Sequence, residues 1–286
     1  MARTRLSDGT RIGRVALTVT DLDAVVPFYR DVVGLRVRER DADRAVLGTD
    51  GEDLLVLDVD PAAGPRPADA AGLFHTAFRV PSRAALGDAL ARVDAGDHGL
   101  TGASDHLVSE ALYLRDPEGN GVEVYRDRPR EEWPGTGDRV EMDTLPLDLD
   151  ALRADRAGDA DDPGDSVPAG TAVGHVHLEV TDLHAAEAFY VDALGFDVRQ
   201  RWDADALFVA AGGYHHHVGL NTWNRRGARA SGRGLAEFEV LVPDGDALEA
   251  VRERLAEAGV TVTDDGEAVA VDDPDGIGVR IATESD

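Results

Sequence analysis

Residues 11–40, RIGRVALTVTDLDAVVPFYRDVVGLRVRER, recur without a gap, at an offset of 161, as residues 172–201, AVGHVHLEVTDLHAAEAFYVDALGFDVRQR. Each stretch alternates apolar and polar residues, passes through Thr-Asp, and then spaces apolar residues three or four apart up to Gly34 or Gly195. Alternation is typical of a strand, Thr-Asp of a helix N-terminus and the glycine of a helix C-terminus. The chain therefore contains a repeated strand–helix unit.

A second, weaker repeat follows each copy of the first. Residues 72–93 match residues 234–255, and DPEGNGVEVY at 116–125 matches DPDGIGVRIA at 273–282. Each unit continues from its helix into short apolar stretches separated by Gly and Asp turns, which indicates three further strands. We therefore predict an α+β protein of four βαβββ modules, at residues 11–60, 72–127, 172–223 and 234–284. The first two form an N-terminal half of residues 1–127, and the last two a C-terminal half of residues 172–286.

Between the halves, residues 128–171 are rich in Asp, Pro and Gly. Within them, residues 141–165 hold nine acidic side chains against two arginines. This composition is typical of a solvated, acidic linker, and PLDLDALRAD at 146–155 predicts a short helix inside it.

The charge of the whole chain is strongly negative. Its 286 residues include 56 acidic and 29 basic side chains, all of the latter arginine, for a formal net charge of −27. A field of this sign repels phosphate backbones and anionic membranes, so neither nucleic acid nor membrane is expected as a partner. We interpret the acidity as adaptation to a salt-accumulating cytoplasm, with codon bias as the alternative reason for the missing lysine.

Cysteine is absent, and so are long apolar runs. The chain can form no disulfide, thiolate nucleophile or Fe–S cluster. No apolar run approaches the ~18 residues of a membrane span, and the first ten residues lack the apolar core of a signal peptide. A cytoplasmic location is therefore expected.

The repeated motifs VTDL…FY…G and DPEGN resemble those of the vicinal oxygen chelate superfamily, which includes glyoxalase I, bleomycin-resistance proteins and extradiol dioxygenases. The resemblance covers about residues 11–127 and 172–284, and it implies that paired βαβββ modules form two open β-barrel cups. Longer stretches, among them FHTAFRVPSRAALGDAL and ALFVAAGGYHHHVGLNTW, resemble the four-module bacterial catechol-2,3-dioxygenases.

Three residues form a candidate metal site. His75 and His175 occupy the same place in their modules, five residues before Val80 and Val180, where the superfamily carries a metal-binding imidazole. Glu123 lies between two valines on a terminal strand, and a buried carboxylate needs a partner or a metal. Two histidines and one carboxylate form the facial triad that suits non-haem Fe(II), and Mn(II) accepts the same ligands.

The duplication supplies an internal comparison. The counterparts of His175, His75 and Glu123 are Arg14, Glu237 and Arg280. This second set cannot bind a cation, but it can form a salt-bridge cluster in place of one. The metal set draws on modules 2 and 3 and the charged set on modules 1 and 4. We therefore predict pairing of modules 2+3 and 1+4, with one active and one vestigial cup.

Further candidates surround the triad. Tyr113 precedes Glu123 by ten positions, which resembles the substrate-contacting tyrosine of extradiol dioxygenases. The triplet His215-His216-His217 resembles the superfamily's paired histidines before an apolar strand, where the second acts as acid–base; this implies that role for His217. In a strand, either only one of His216 and His217 or His215 together with His217 can face the cup. A surface cluster or an adventitious metal site is the other interpretation of the triplet.

His106, in the loop before Tyr113, resembles a histidine that either faces the substrate or lies just behind the residues that contact it, and we count it among the catalytic candidates. The residues expected to line the substrate pocket are His177, His215 and Trp223. His98 and His184 are interpreted as ordinary surface or core residues.

The resemblance and the triad together predict an Fe(II)-dependent extradiol dioxygenase, which cleaves the ring of a catechol-type diol with O2. Two alternatives remain open at this point. A glyoxalase-like isomerase or lyase normally presents four protein ligands to its metal, whereas only three stand out here. A binding protein of the bleomycin-resistance type needs no metal. The sequence leaves the substrate open, and it is compatible with a homo-oligomer.

Overall fold

The structure, a computed structural model, describes residues 5–137, 139–156 and 166–284. Module 1 begins with β1 (Arg11–Val19) and α1 (Leu22–Pro27), continues through a π-helical turn at Phe28–Val33, and ends with β2 (Arg36–Arg40), β3 (Arg44–Gly48) and β4 (Asp53–Val59). Module 2 consists of β5 (Gly72–Arg79), α2 (Arg83–Ala95), β6 (Gly102–Asp105), β7 (Ser109–Arg115) and β8 (Gly121–Asp127).

The second half repeats this plan after a connecting segment that contains a 3-10 turn (Arg130–Glu132), β9 (Leu145–Pro146) and α3 (Leu149–Ala154). Module 3 consists of β10 (Ala172–Glu179), α4 (Leu183–Glu187), a π-helical turn (Ala188–Ala193), β11 (Asp197–Trp202), β12 (Ala206–Ala210) and β13 (Val218–Asn221). Module 4 consists of β14 (Gly234–Val242), α5 (Gly245–Glu257), β15 (Thr263–Asp264), β16 (Ala268–Asp272) and β17 (Gly278–Thr283).

The helix boundaries follow the capping residues of the sequence. The Asp21 and Asp182 side chains accept hydrogen bonds from backbone N–H groups in the first turns of α1 and α4. The helical stretch of module 1 ends at Gly34, whose φ of 92° lies in the left-handed region that only glycine adopts freely. Modules 1 and 3 thus begin their helices where the repeated sequence predicts, and in module 1 the predicted glycine ends the helix.

Two curled sheets carry the strands. One has the order β15-β16-β17-β14-β1-β4-β3-β2 and contains modules 4 and 1. The other has the order β11-β12-β13-β10-β5-β8-β7-β6-β9 and contains modules 3 and 2. At their centres, β1 pairs antiparallel with β14, and β10 antiparallel with β5. His75 and His175 therefore lie in one sheet and Arg14 and Glu237 in the other.

The helices connect the modules in a different combination. Arg92 on α2 donates through Nη2 to the carbonyl of Val33, at the end of the module 1 helix, over 3.1 Å. Arg254 on α5 donates in the same way to the carbonyl of Leu194 in module 3 over 2.7 Å. These buried arginines occupy the helix ends where carbonyls lack intrahelical partners. Helices thus join module 1 to 2 and module 3 to 4, while the sheets join 1 to 4 and 2 to 3.

The connecting segment is less solvated than its composition predicts. Val140, Met142 and Leu152 are all buried, and β9 extends the second sheet by pairing with β6. The predicted short helix is present as α3. Residues 157–165 of the predicted linker lie outside the described residues. None of the described helices has the length and apolar character needed to cross a membrane.

Candidate metal centre and substrate cavity

Three neighbouring strands bring the triad together. In the antiparallel pair β10–β5, His177 lies opposite His75 and His175 opposite Ala77. In the parallel pair β5–β8, Ala77 lies beside Glu123. Residues directly opposite each other on adjacent strands share a face, and so do residues two positions apart on one strand, as His75 and Ala77 are. The register thus directs one imidazole from each module, and the carboxylate of module 2, to the same point.

The three side chains meet there at short distances. Glu123 Oε2 lies 2.9 Å from His75 Nε2 and 3.2 Å from His175 Nε2, and the two Nε2 atoms are 3.3 Å apart. All three residues are buried. Within the described ranges, no other set of three His, Asp or Glu residues brings its ligand atoms within 4.8 Å of one another.

These separations suit a single divalent cation. Ligand atoms about 2.1 Å from one ion are about 3.0 Å apart when they meet at right angles, and about 3.4 Å apart at the tetrahedral angle. The three observed distances, 2.9, 3.2 and 3.3 Å, fall within or close to this range, so all three atoms can contact one ion. Two imidazoles and one carboxylate are the donor set of non-haem Fe(II) sites, so the residues fit this metal.

Protonation also favours metal binding. Burial opposes the ionisation of Glu123, but the imidazoles of His175 and His75 outweigh it and hold the pKa of Glu123 well below its usual range. Burial lowers the pKa of His175 to about 4. At neutral pH the site therefore presents an anionic carboxylate and, at His175, an imidazole with a free lone pair, which are the forms that bind metals.

The triad lies on the wall of a cavity of about 390 Å³. Polar residues surround the triad: His106, Tyr113, His177 and His216. The rest of the wall is largely apolar and aromatic, with contributions from Phe74, Met142, Trp202, Phe208 and Trp223. A cavity of this size, with few polar groups directed at one point, is typical of a small-molecule site.

Tyr113 stands beside the triad because β7 pairs with β8 so that Tyr113 lies opposite Glu123. Its hydroxyl is 2.6 Å from His106 Nε2, and His106 Nδ1 is 2.7 Å from the backbone carbonyl of Asp143. A carbonyl only accepts, so in neutral His106 the proton is on Nδ1 and Nε2 accepts the Tyr113 hydrogen. Burial, reinforced by Glu123, raises the pKa of Tyr113 well above its ordinary value. The phenol therefore stays protonated, with its oxygen lone pairs available to a ligand.

Of the histidine triplet, the structure brings His216 to the cavity, where its ring lies 4.0 Å from that of His175. His216 Nδ1 is 2.7 Å from His215 Nδ1, and His215 Nε2 is 2.8 Å from Asp127 Oδ1. The Asp127 carboxylate accepts from Nε2–H, so neutral His215 accepts at Nδ1 from His216. His216 then has its lone pair on Nε2.

His217, expected from the sequence to face the cup, lies elsewhere. Its Nδ1 accepts a hydrogen bond from the N–H of Ala211 over 3.1 Å, and its ring stacks on Tyr214. Burial lowers its pKa to about 3. The role of His217 came from the resemblance, which points to the second histidine of a pair, whereas alternation allowed only one of His216 and His217 to face the cup. The structure adopts the arrangement in which His216 lines the cavity and His215 and His217 do not.

Of the remaining residues predicted to line the pocket, two do so and one does not. His177 lines the cavity and accepts from Asn221 Nδ2 over 3.0 Å, and Trp223 lines its rim with 45% of its surface exposed. His215 is fully buried behind His216 and does not line the cavity. Alternation places His216 on one side of the backbone and its two neighbours on the other, but no signal in the sequence says which side faces the cavity.

The other sheet carries the predicted charged set, with one difference. Arg14 and Arg280 are 3.4 and 3.7 Å from Glu239 Oε1. The expected partner was Glu237, two positions earlier on β14. Glu237 is only half buried, and burial raises its pKa. Glu239 thus forms both salt bridges, while Glu237 is near enough to the two arginines for their charges to oppose the effect of burial on its pKa.

Comparison with known proteins agrees with this fold and site. Residues 11–124 and 172–281 match the family model of the Glyoxalase/Bleomycin resistance protein/Dioxygenase superfamily. The chain belongs to this superfamily. It is 41% identical over 280 residues to catechol-2,3-dioxygenase of Bacillus subtilis (strain 168), covering 95% of this chain and 96% of that one. Within the superfamily, the chain is therefore an extradiol dioxygenase-like oxidoreductase.

Two further relatives show how widely the modules are shared. Biphenyl-2,3-diol 1,2-dioxygenase 3 of Rhodococcus globerulus is 33% identical over 123 residues, which cover 41% of this chain and 63% of that one. The crystal structure of glyoxalase I from Zea mays superposes with a TM-score of 0.59 at 18% identity, covering 96% of this chain and 92% of that one. The latter likeness is one of fold.

Proposed function

We propose that the protein is an Fe(II)-dependent extradiol dioxygenase, which opens the ring of a catechol-type diol beside its two hydroxyl groups and consumes O2. One observation carries the proposal. Two imidazoles and one carboxylate converge on one point in the wall of an aromatic-lined cavity, in a chain 41% identical to a catechol-2,3-dioxygenase.

His75, His175 and Glu123 would hold the metal. Bound there, Fe(II) would supply a redox centre for the reaction of the diol with O2. Mn(II) is compatible with the same donors. A glyoxalase-like isomerase is less well supported, because the described residues supply three clustered ligands rather than four. A metal-free binding protein leaves the triad without a function.

His216 is the residue of this chain best placed to take a proton from the diol. With Nδ1 engaged by His215, its Nε2 is the nitrogen that remains for a substrate. Burial lowers the pKa of His216 well below its ordinary value, so the ring is a neutral base at neutral pH. Asp127 and His215 fix this tautomer from behind, and we assign to His216 the acid–base role that the sequence predicted for His217.

Tyr113 would orient the diol. Its hydrogen is directed to His106, which leaves the phenol oxygen to accept a hydrogen bond from a substrate hydroxyl. His177, held by Asn221, and Trp223 at the rim would contact the ring. These contacts place the diol against the triad and exclude water from it, which is the contribution of positioning to catalysis.

A pair of matched variants tests the proposal. Glu123→Ala removes the carboxylate ligand of the active cup, whereas Glu237→Ala removes the glutamate of the charged set in the other sheet, which is the counterpart of His75. After anaerobic loading with Fe(II), we expect Glu123→Ala to lose bound iron and at least about 100-fold of its ring-cleavage rate on catechol. Glu237→Ala should keep both. Ring cleavage that persists in iron-free Glu123→Ala would exclude the proposed function.

A further inference from the structure

The strands of modules 2 and 3 form a sheet that would end at β6 on one side and at β11 on the other, and one segment of the chain contacts both of these strands. At one end of this segment, β9 pairs with the edge strand β6. At the other, the N–H of Val140 donates to the carbonyl of Arg199, on the opposite edge strand β11, over 3.3 Å. Residues 139–146, which we term the strap, therefore span the opening of the curled sheet and complete the wall around the cavity.

Gln200 clamps the strap by a two-bond contact. Its side-chain Oε1 accepts from the N–H of Met142 over 2.8 Å, and its Nε2 donates to the carbonyl of Met142 over 3.0 Å. One amide thus pairs both backbone groups of one residue, as a neighbouring strand would. Gln200 itself does not line the cavity. Its side chain therefore acts on the cavity only through the strap.

Met142 is the strap residue that the clamp directs inward. Its side chain is 8% exposed and packs in a cluster with Phe208 and Trp202, and all three line the cavity. The ring of Phe208 lies 5.1 Å from that of His216 and 5.6 Å from that of His177. Met142 therefore belongs to the apolar wall beside the residues that would contact the diol.

We propose that the strap is the specificity wall of the site, with Met142 as the residue that limits the size of the ring substituent and Gln200 as its positioning residue. The inference rests on the proposed function and deepens it. At about 390 Å³ the cavity lies in the range of pockets for drug-sized ligands, so it has room for more than a bare diol. The space beside Met142, Trp202 and Phe208 suits an uncharged, apolar substituent.

A charged substituent is less well matched. Among the described residues that line the cavity, Glu123 is the one acidic side chain, and Arg115 the one basic side chain other than histidine. Arg115 Nη1 donates to the carbonyl of Gly119 over 2.8 Å. The chain as a whole also has a net charge of −27, and a field of this sign repels anions that approach the cavity. A carboxylated diol should therefore be a poorer substrate than an alkylated one.

The test compares catechol, 4-tert-butylcatechol and 3,4-dihydroxybenzoate on the Fe(II)-loaded protein. Met142→Ala should raise kcat/KM for the tert-butyl compound about 10-fold relative to catechol, whereas the volume-conserving Met142→Leu should leave the ratio within about 2-fold. Gln200→Leu should raise KM for catechol about 10-fold and leave kcat nearly unchanged, because the side chain touches no substrate. Arg201→Leu, on the same strand and exposed, is the control and should change neither.

A binding measurement keeps the inference testable without turnover. Trp202 and Trp223 line the cavity, so quenching of tryptophan fluorescence reports binding of each diol. If the wild type cleaves no diol, the proposed function fails. The strap would still be upheld as the specificity wall if Met142→Ala shifts the ratio of the dissociation constants of 4-tert-butylcatechol and catechol. Unchanged ratios in Met142→Ala, or preference for the carboxylated diol, would overturn the inference. Should Met142→Ala not fold, Gln200→Leu tests the strap: a raised KM and a raised dissociation constant for catechol would uphold the inference, and unchanged values would overturn it.

Discussion

Replacing His217 by asparagine tests whether this buried histidine has only a structural role and whether its neighbour His216 is the acid–base residue. The asparagine amide would keep an acceptor for the N–H of Ala211, which His217 Nδ1 accepts at 3.1 Å in the native protein. It would have no group that titrates near neutral pH. We therefore expect the His217→Asn variant to fold, to bind iron, and to retain its ring-cleavage rate within about 3-fold, whereas His216→Asn should lose most of that rate.

The effect on stability follows from the pKa of His217. Burial lowers that pKa from the ordinary 6.5 to about 3. Above pH 6.5 the ring is neutral in both the folded and the unfolded state. As the pH falls below 6.5, only the unfolded chain takes up the proton, so stability is lost. Between pH 6.5 and pH 5 this amounts to about 1.5 pH units at about 1.4 kcal/mol each, or about 2 kcal/mol.

The assay is denaturant unfolding at pH 7 and pH 5, at one fixed high salt concentration, for wild type and His217→Asn. All other titrating groups are shared, so their contribution cancels in the comparison. The wild type should lose about 2 kcal/mol more than the variant between the two pH values. Equal losses would refute the buried neutral state of His217. If the folded, iron-loaded His217→Asn variant loses ring cleavage, His217 rather than His216 is the acid–base residue.

Three other predictions concern separate parts of the molecule. Tyr113→Phe should lower kcat/KM for catechol about 10-fold or more at unchanged iron content, because it removes the acceptor for a substrate hydroxyl but leaves the triad intact. An unchanged kcat/KM would show that Tyr113 does not contact the diol. Arg92→Met should lower the free energy of unfolding, measured by urea titration, by about 2 kcal/mol or more, because it leaves the buried carbonyl of Val33 without its donor. An unchanged free energy would contradict the role of Arg92 in joining modules 1 and 2. The melting temperature should rise between dilute buffer and molar KCl, because salt screens the repulsion within a chain of net charge −27; a constant or falling value would contradict adaptation to high salt.

The modules and the triad can be predicted from the sequence because the sequence repeats, and comparison of the repeats reveals both. Alternation, capping residues and the end-of-helix glycines locate each strand–helix unit. The comparison of His75, His175 and Glu123 with their charged counterparts then indicates which modules share a sheet. Each of these inferences depends on regular secondary structure, whose period transfers directly from sequence to side-chain direction.

The parts that the sequence does not predict depend on which face of a strand turns inward, on side-chain reach, or on contacts between distant segments. His216 rather than His217 lines the cavity, because alternation allows either face to turn inward and the sequence does not fix which one does. Glu239 rather than Glu237 joins the two arginines, which alignment of the repeats cannot reveal. The strap, in a stretch with the composition of a linker, becomes cavity wall through the Gln200 clamp, a contact between residues 58 positions apart.

If a metal held by His75, His175 and Glu123 makes this chain an extradiol dioxygenase, oxygen uptake and ring cleavage must occur together. Both can be measured on protein that is loaded anaerobically with Fe(II) and then mixed with catechol in air-saturated buffer. We expect one O2 to be consumed for each diol opened beside its hydroxyl groups, and no reaction once the iron is removed by a chelator. Iron that binds without any oxygen uptake on catechol or on substituted catechols would contradict this expectation.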